Sequence, residues 1–332
     1  MKAAICETYG PPEAIQVVDV PKPEFCENDL LVGVCASTVN RTDTGYRSAQ
    51  YFISRFFTGL FRPKHIILGT EFAGEVVCVG RNVTDFTVGD RVFGYNEKTF
   101  GCCAQYTAIP ASGMVTHSPE HLGCAEIVAS TEGSHYALNQ IRVASIKKGD
   151  DVLVYGGSGS IGSAAIQILI AMDVTVTAVV GTSNIALMKK LGCKQVHDYQ
   201  KEDFIEILHT DGVRFDLVLD AVGKITFGQC KKLLKPCGVY ISTEFGPYLQ
   251  NPFLAIWTRF FSKKKVLFPI PSERKSDVQY IKKLMEEGKY KPVIDRQYPL
   301  DAIANATRYV ETGQKVGNVV IVIEEKKKRK VS

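Results

Sequence analysis

The stretch DVLVYGGSGSIGSAAIQILIAM, residues 151–172, decides the fold. DVLVY is an apolar run of strand length. SIGSAAIQILIAM has the length and apolar content of a helix. Between them stands G-x-G-x-x-G on Gly157, Gly159 and Gly162. A glycine elbow between strand and helix makes a tight turn and lets backbone N–H groups approach a pyrophosphate. The helix N-terminus adds partial positive charge there. The motif alone is weak, but the required strand precedes it and the required helix follows.

Outward from this elbow the alternation continues. VTVTAVV is a strand and NIALMKKLG a helix ended by Gly192. QVHDY is a short strand, EDFIEILHT a helix and FDLVLDAVG a strand. TFGQCKKLLKPCG reads as a helix closed by Pro236 and Gly238, and VYIST as a strand. Strands alternating with short helices imply βαβ crossovers and a parallel sheet, that is, an α/β doubly wound Rossmann fold. Upstream the chain is β-rich. AIQVVDV, DLLVGVCAS, AGEVVCVG and DRVFGY are strand-like runs between turn signals, and helical periodicity is confined to the aromatic stretch Gln50–Phe61. A helical stretch, Ala125–Asn139, joins the two regions. Downstream, Ser276–Glu287 and Leu300–Thr312 read as helices, and NVVIVI as a last strand.

The chain has 332 residues, enough for about two domains. Hydrophobic residues make up 45% and charged residues 23%, the composition of a soluble globular protein. No apolar run reaches the roughly 20 residues of a membrane span, and MKAAICETYG lacks the apolar core of a secretory signal. The expectation is a cytoplasmic protein with no membrane partner and reduced thiols at its 10 cysteines. The net charge is +5, and Lys326–Lys330 carries five positive charges at the end of the chain. The rest is near neutral, which argues against nucleic-acid binding by the folded part. KKKRKV also has the look of a nuclear-import signal, against which stands a plainly solvated tail.

The second strand of the Rossmann unit bears on the coenzyme. NAD-binding proteins usually place Asp or Glu about 20 residues beyond the elbow, on the ribose 2′-hydroxyl. Here the strand runs into Gly181-Thr182-Ser183-Asn184. No carboxylate stands in that segment. Thr182, Ser183 and Asn184 can donate to a 2′-phosphate, so NADP is favoured.

MKAAICETYGPPEAIQVVDVPKP, VCASTVNRTDTGYRSAQY, ILGTEFAGEVVCVGRNVTDFTVGDRVFGY, VLVYGGSGSIGSAAIQI and KVGNVVIVI resemble the medium-chain dehydrogenase/reductase superfamily, in its zinc-independent quinone-oxidoreductase-like branch. The resemblance covers nearly the whole chain. It implies a GroES-like β-rich catalytic domain, residues 1–123 with a return at 272–332, and a Rossmann NADP-binding domain, residues 124–271. It also implies a homodimer, for which KKKVLFP could form the sheet edge.

In zinc-dependent members a Cys and a His-Glu pair hold the catalytic metal. By that resemblance Asn40 stands for the Cys, and Thr70 for the His before Glu71. Neither is a useful zinc ligand, so no metal is expected. Without an electrophilic metal, the acceptors that fit are quinones and α,β-unsaturated carbonyls, whose conjugated oxygen spreads the negative charge and needs only hydrogen-bond donors. Asn40, Tyr46 and Tyr51 are the candidate donors. The competing readings are a turn former for Asn40 and an ordinary half-buried ring for Tyr46. Gly157, Ser158, Gly159, Ser160 and Ile161 carry over as the pyrophosphate grip. Tyr199 would cover the 2′-phosphate. Val222 and Gly223 would line the cofactor at the carboxyl edge of the sheet, Thr243, Glu244 and Phe245 would lie near the nicotinamide, and Thr131 would lie on a helix facing the nicotinamide. Asn318 would be a further contact, where many relatives carry Lys. Rival readings are an alcohol dehydrogenase of the same superfamily and a non-catalytic NADPH-binding protein. The aromatic stretch Tyr248–Phe261 reads either as an apolar lid or wall of the substrate cleft, or as dimer packing or core.

Overall fold

The computed structural model describes residues 1–49 and 55–323. Tyr51 and the basic tail 326–332 lie outside the described residues. In chain order the first elements are β1 (Lys2–Ile5), β2 (Gln16–Asp19), β3 (Asp29–Val39), α1 (Arg41–Ser48), α2 (Arg55–Thr58), β4 (Glu71–Val79), β5 (Arg91–Tyr95), β6 (Tyr106–Pro110), β7 (Met114–His117) and α3 (Cys124–Val128). Then come α4 (Glu132–Val143), β8 (Asp151–Tyr155), α5 (Ser160–Ala171), β9 (Thr175–Val180), α6 (Ile185–Lys190), β10 (Gln195–Asp198), α7 (Phe204–Thr210), β11 (Phe215–Asp220), α8 (Phe227–Cys230), β12 (Leu234–Ser242), α9 (Gln250–Phe261) and β13 (Lys265–Leu267). The chain closes with α10 (Lys275–Glu286), β14 (Ile294–Pro299), α11 (Ile303–Glu311) and β15 (Asn318–Val322). Two compact units emerge. One holds Met1–Glu132, Glu273–Glu287 and the chain from Lys291 onward; the other holds Gly133–Ser272 and Gly288–Tyr290.

In the first unit the described strands form a sheet in the order β14-β15-β3-β4-β5-β7, with β6 also paired to β3. All its pairings are antiparallel except β14 with β15. Leu30, Val32, Val34, Phe72, Val76, Val92 and Val115 make one buried cluster, and Val39, Tyr46, Phe100, Ile303, Val310 and Val319 belong to another. Helix α1 is absent from the sequence reading because RTDTGYRS has no apolar stripe and carries Gly45. Tertiary contacts hold it instead. Its Arg47, almost wholly buried, donates to the Gly10 carbonyl and to Glu311 on α11.

In the second unit six described strands lie in the order β10-β9-β8-β11-β12-β13, all parallel. The middle strands are buried along nearly their whole length, as in a sheet covered on both faces. The expected helix over TFGQCKKLLKPCG is corrected. Only Phe227–Cys230 is α-helical, and the chain enters β12 at Leu234. Pro236 is tolerated there because the register slips: Leu234 faces Phe215, then Val239 faces Leu217.

The expectation of reduced thiols is also corrected at one pair. Cys35 on β3 and Cys124 at the start of α3 form a disulfide across 89 residues, with Cα atoms 6.3 Å apart. The other eight cysteines are free. The spacing of the two partners carries no local signal; only the packing of α3 on β3 brings them together.

Candidate active site

In the first unit the polar centre is built on Glu71, which opens β4 and is fully buried. Its Oε2 accepts from the Thr38 hydroxyl and, at 2.8 Å, from the Asn40 amide. Its Oε1 accepts from the Thr131 hydroxyl at 2.6 Å and from the N–H groups of Thr131 and Glu132 at 3.0 and 2.7 Å. The Glu71 carboxylate therefore sits at the N-terminus of α4, where orphan amides and the helix dipole favour an anion. These donors also break the helix expected over Ala125–Asn139 into α3 and α4. Thr131 accordingly precedes α4 rather than lying on it, and its donors face Glu71.

Two further carboxylates surround this centre. Glu132 accepts from Thr42 at 2.9 Å and from Thr70 at 3.1 Å. Asp43 accepts the Asn40 N–H at 2.9 Å, holding the first turn of α1. Burial pushes all three acids up. Asp43 reaches about 7, and Glu132 is raised further by the nearby charges of Glu71 and Asp43. The counter-charge is Lys315, half-buried between α11 and β15. Its ammonium donates to Asn40 Oδ1 at 3.3 Å and to the Gly317 carbonyl at 2.6 Å, and burial lowers it to about 8.

Asn40 is thus buried in this network, its amide donating to Glu71 and to Thr38 and its oxygen accepting from Lys315. Tyr46 is elsewhere: its ring packs 4.2 Å from that of Phe100, and its hydroxyl accepts the His65 N–H at 2.8 Å. Asn318 is buried and donates its amide to the Val293 carbonyl at 3.0 Å. Sequence reasoning missed Glu132 and Lys315. Neither lies in a recognisable spacing, and both are drawn in by the fold.

In the second unit, β8 ends at Tyr155 and Gly156 adopts a left-handed φ of 78°. Gly157, Ser158 and Gly159 make the elbow, and α5 begins at Ser160 with Ile161 in its first turn. Two of these glycines are needed for close approach. A Cβ on Gly162 would lie 2.2 Å from the Gly156 carbonyl oxygen, and one on Gly157 would lie 2.9 Å from both Ile166 and Met188. Gly159 is open, with only the Gly156 oxygen at 3.6 Å, so the first-turn amides of α5 are approachable. The elbow fits a dinucleotide pyrophosphate.

At the end of β9, Thr182 and Ser183 are exposed and Asn184 is half-buried. The hydroxyl of Tyr199 lies 3.4 Å from where a Gly181 Cβ would stand. One expectation is corrected here. A carboxylate does reach this corner: Asp198, at the end of the neighbouring strand β10, accepts the Thr182 hydroxyl at 2.5 Å. It also accepts the Gln200 N–H at 3.0 Å and is itself buried. Parallel pairing placed a residue 16 positions away beside Thr182.

Beyond β11, Asp220 is another residue the sequence reading did not single out. Its fully buried carboxylate accepts the N–H groups of Val222, Gly223, Lys224 and Ile225 at 2.8–3.4 Å. It so shapes the loop bearing Val222 and Gly223. A Cβ on Gly223 would meet the Glu244 side chain at 2.4 Å, so this loop abuts the one with Thr243 and Phe245 after β12. Both loops stand at the carboxyl edge of the sheet, where such folds bind ligands.

The alcohol dehydrogenase GroES-like domain model matches residues 26–124, and the zinc-binding dehydrogenase model matches residues 191–321. The 2-methylene-furan-3-one reductase of Solanum lycopersicum is 30% identical, over 97% of this chain and 79% of that protein. The chain belongs to the medium-chain dehydrogenase/reductase superfamily. A second relative, the chloroplastic NADPH-dependent alkenal/one oxidoreductase of Arabidopsis thaliana, is 27% identical over 97% of this chain and 79% of its own length. Among solved structures, the quinone oxidoreductase from Coxiella burnetii superposes with a TM-score of 0.86 at 27% identity, covering 98% of this chain and 99% of that one. Within the superfamily this chain does not fit a catalytic zinc. Asn40 and Thr70 supply neither thiolate nor imidazole, and their side chains are bound to Glu71 and Glu132. Among the described residues no His, Cys, Asp and Glu cluster has the arrangement of a metal site.

Proposed function

We propose that this medium-chain oxidoreductase reduces a quinone or α,β-unsaturated carbonyl with NADPH and without zinc. The observation that carries this reading is the network around Glu71: the positions that would ligate zinc are taken up as hydrogen-bond donors to buried carboxylates. Such a site offers polar and cationic partners to a conjugated oxygen and no Lewis acid. When bound, the reduced coenzyme supplies a hydride. Gly157, Ser158, Gly159, Ser160 and Ile161 would hold its pyrophosphate. Thr182, Ser183, Asn184 and Tyr199 would face its 2′-phosphate, because the Asp198 carboxylate at this corner is buried and turned to the Thr182 hydroxyl. Val222, Gly223, Thr243 and Phe245 would line its further end.

On the acceptor side we assign Lys315, with Asn40 positioning it: the Asn40 amide is committed to Glu71 and Thr38, and its oxygen accepts from the ammonium. The ammonium has three N–H donors, and the two acceptors at Asn40 and Gly317 leave it able to meet an anionic oxygen as well. Tyr46 is assigned to packing. The homodimer is retained as part of the proposal, with β13, the end strand of the six-stranded sheet, as its seam. Light scattering on the purified chain tests that element.

The activity test is coenzyme oxidation followed at 340 nm against quinones, enones, enals and simple aldehydes, before and after dialysis against a chelator. Turnover of conjugated acceptors with NADPH, unaffected by the chelator, is the expected result. Faster use of NADH would remove the coenzyme assignment. Turnover confined to simple aldehydes or alcohols and abolished by the chelator would favour the alcohol dehydrogenase reading.

A further inference from the structure

Helix α9 turns its apolar side to solvent. Phe253, Ile256, Trp257, Phe260 and Phe261 recur at the spacing of one helical face and are each between 49% and 72% exposed. The opposite side holds the buried Asn251 and Thr258, with Leu254 and Ala255 packed on the core. Tyr248, just before the helix, is wholly exposed, and Ile270, just after β13, is 87% exposed. An outward stripe of this size on a soluble unit marks a surface that something covers.

The charge around the stripe identifies the cover. Residues 245–272 contain no Asp or Glu, while Arg259, Lys263, Lys264 and Lys265 fall within them. Lys265 donates to the carbonyls of Thr258, Arg259 and Ser262 at the end of α9. Lys264 donates to the Lys231 carbonyl at 2.7 Å, and Lys231, Lys232 and Lys264 line one open cleft with Asp203 and Gln229. Burial lowers the Lys264 ammonium, and the charges of Arg214 and Lys231 add to that. Glu206 pairs with Lys232. The proposed homodimer joins copies edge to edge along β13; laid face to face, two copies of the α9 stripe would set Arg259 and Lys263 against their own counterparts, because a two-fold contact is self-complementary. An anionic bilayer answers both features: its acyl boundary takes the rings and its headgroups take the cations.

We propose that α9 docks on an anionic phospholipid surface, lying in the plane of the interface with Phe253, Ile256, Trp257, Phe260 and Phe261 inserted. No helix among the described residues is long and apolar enough to cross a membrane, so this is attachment, not spanning. It amends the expectation that the chain has no membrane partner, and it does not rest on the proposed reductase activity.

Trp257 is the only tryptophan of the chain and reports on this face directly. The full chain is mixed with vesicles of phosphatidylcholine and phosphatidylserine in equal parts, and with phosphatidylcholine alone. Co-sedimentation with the mixed vesicles, a blue shift of Trp257 emission and its quenching by brominated acyl chains are expected. Phe260→Glu and the double variant Lys263→Glu, Lys264→Glu should each weaken binding about tenfold or more, with circular dichroism unchanged. Sedimentation with no change in Trp257 emission would overturn the proposal, since the tail Lys326–Lys330 would then carry the binding. A concentration-dependent blue shift without vesicles, abolished with a dimer by Phe260→Glu, would also overturn it and assign the face to a second copy.

Discussion

At the residue scale, the buried acids and Lys315 set the pH behaviour. Asp43 is raised from 3.8 to about 7, chiefly by burial. The native protein then holds a proton that the unfolded chain releases above about pH 4. This contribution to stability is present at low pH and is lost as pH rises from about 4 to about 7. Melting temperature should fall over that interval, and Asp43→Asn, which keeps an acceptor for the Asn40 N–H, should flatten the fall. Lys315 is lowered from 10.5 to about 8 by burial. As a cationic partner for the acceptor oxygen it acts only while protonated, so turnover should decline as pH rises through about 8. Lys315→Met should abolish that decline and lower kcat by about 100-fold or more. A kcat–pH profile of both enzymes checks this; an unchanged alkaline limb in the variant would remove Lys315 from the site.

At the scale of elements, the loop after β11 depends on one side chain. Asp220→Ala would leave four backbone N–H groups without their acceptor; the buried one, at Ile225, costs about 1–3 kcal/mol, and the part-buried three cost less because water can reach them. The expected result is a lower melting temperature and NADPH affinity weakened about tenfold or more, by calorimetry. Asp220→Asn keeps an acceptor oxygen and should lose less on both measures. The same logic explains where pattern reading failed. Helix α1 has no apolar period and exists because Arg47 and Asp43 tie it down. The segment TFGQCKKLLKPCG has helical content, but a register slip lets β12 absorb Pro236. In both places tertiary contacts outweigh local preference.

At the scale of the molecule, the Cys35–Cys124 disulfide closes a long loop from β3 to α3 within the first unit. Eight thiols should titrate in denaturant before reduction and ten after it. A loop of 89 residues corresponds to about 4–5 kcal/mol in the chain-entropy account, so reduction should lower the melting temperature of that unit. Ten reactive thiols at the outset would place the pair in the reduced state.

The sequence by itself determined the α/β class, the glycine elbow at Gly157–Gly162 and the order of strands and helices around it. These depend on local periodicity and on the steric demands of glycine, both of which are written in neighbouring residues. Only the tertiary structure decided that Glu71 faces the start of α4, that Lys315 reaches Asn40 across 275 positions and that Asp198 lies beside Thr182. It alone also showed that α9 turns its aromatic face outward. Electrostatic partners act through space, and pairing of strands and packing of helices bring together groups whose separation along the chain carries no signal.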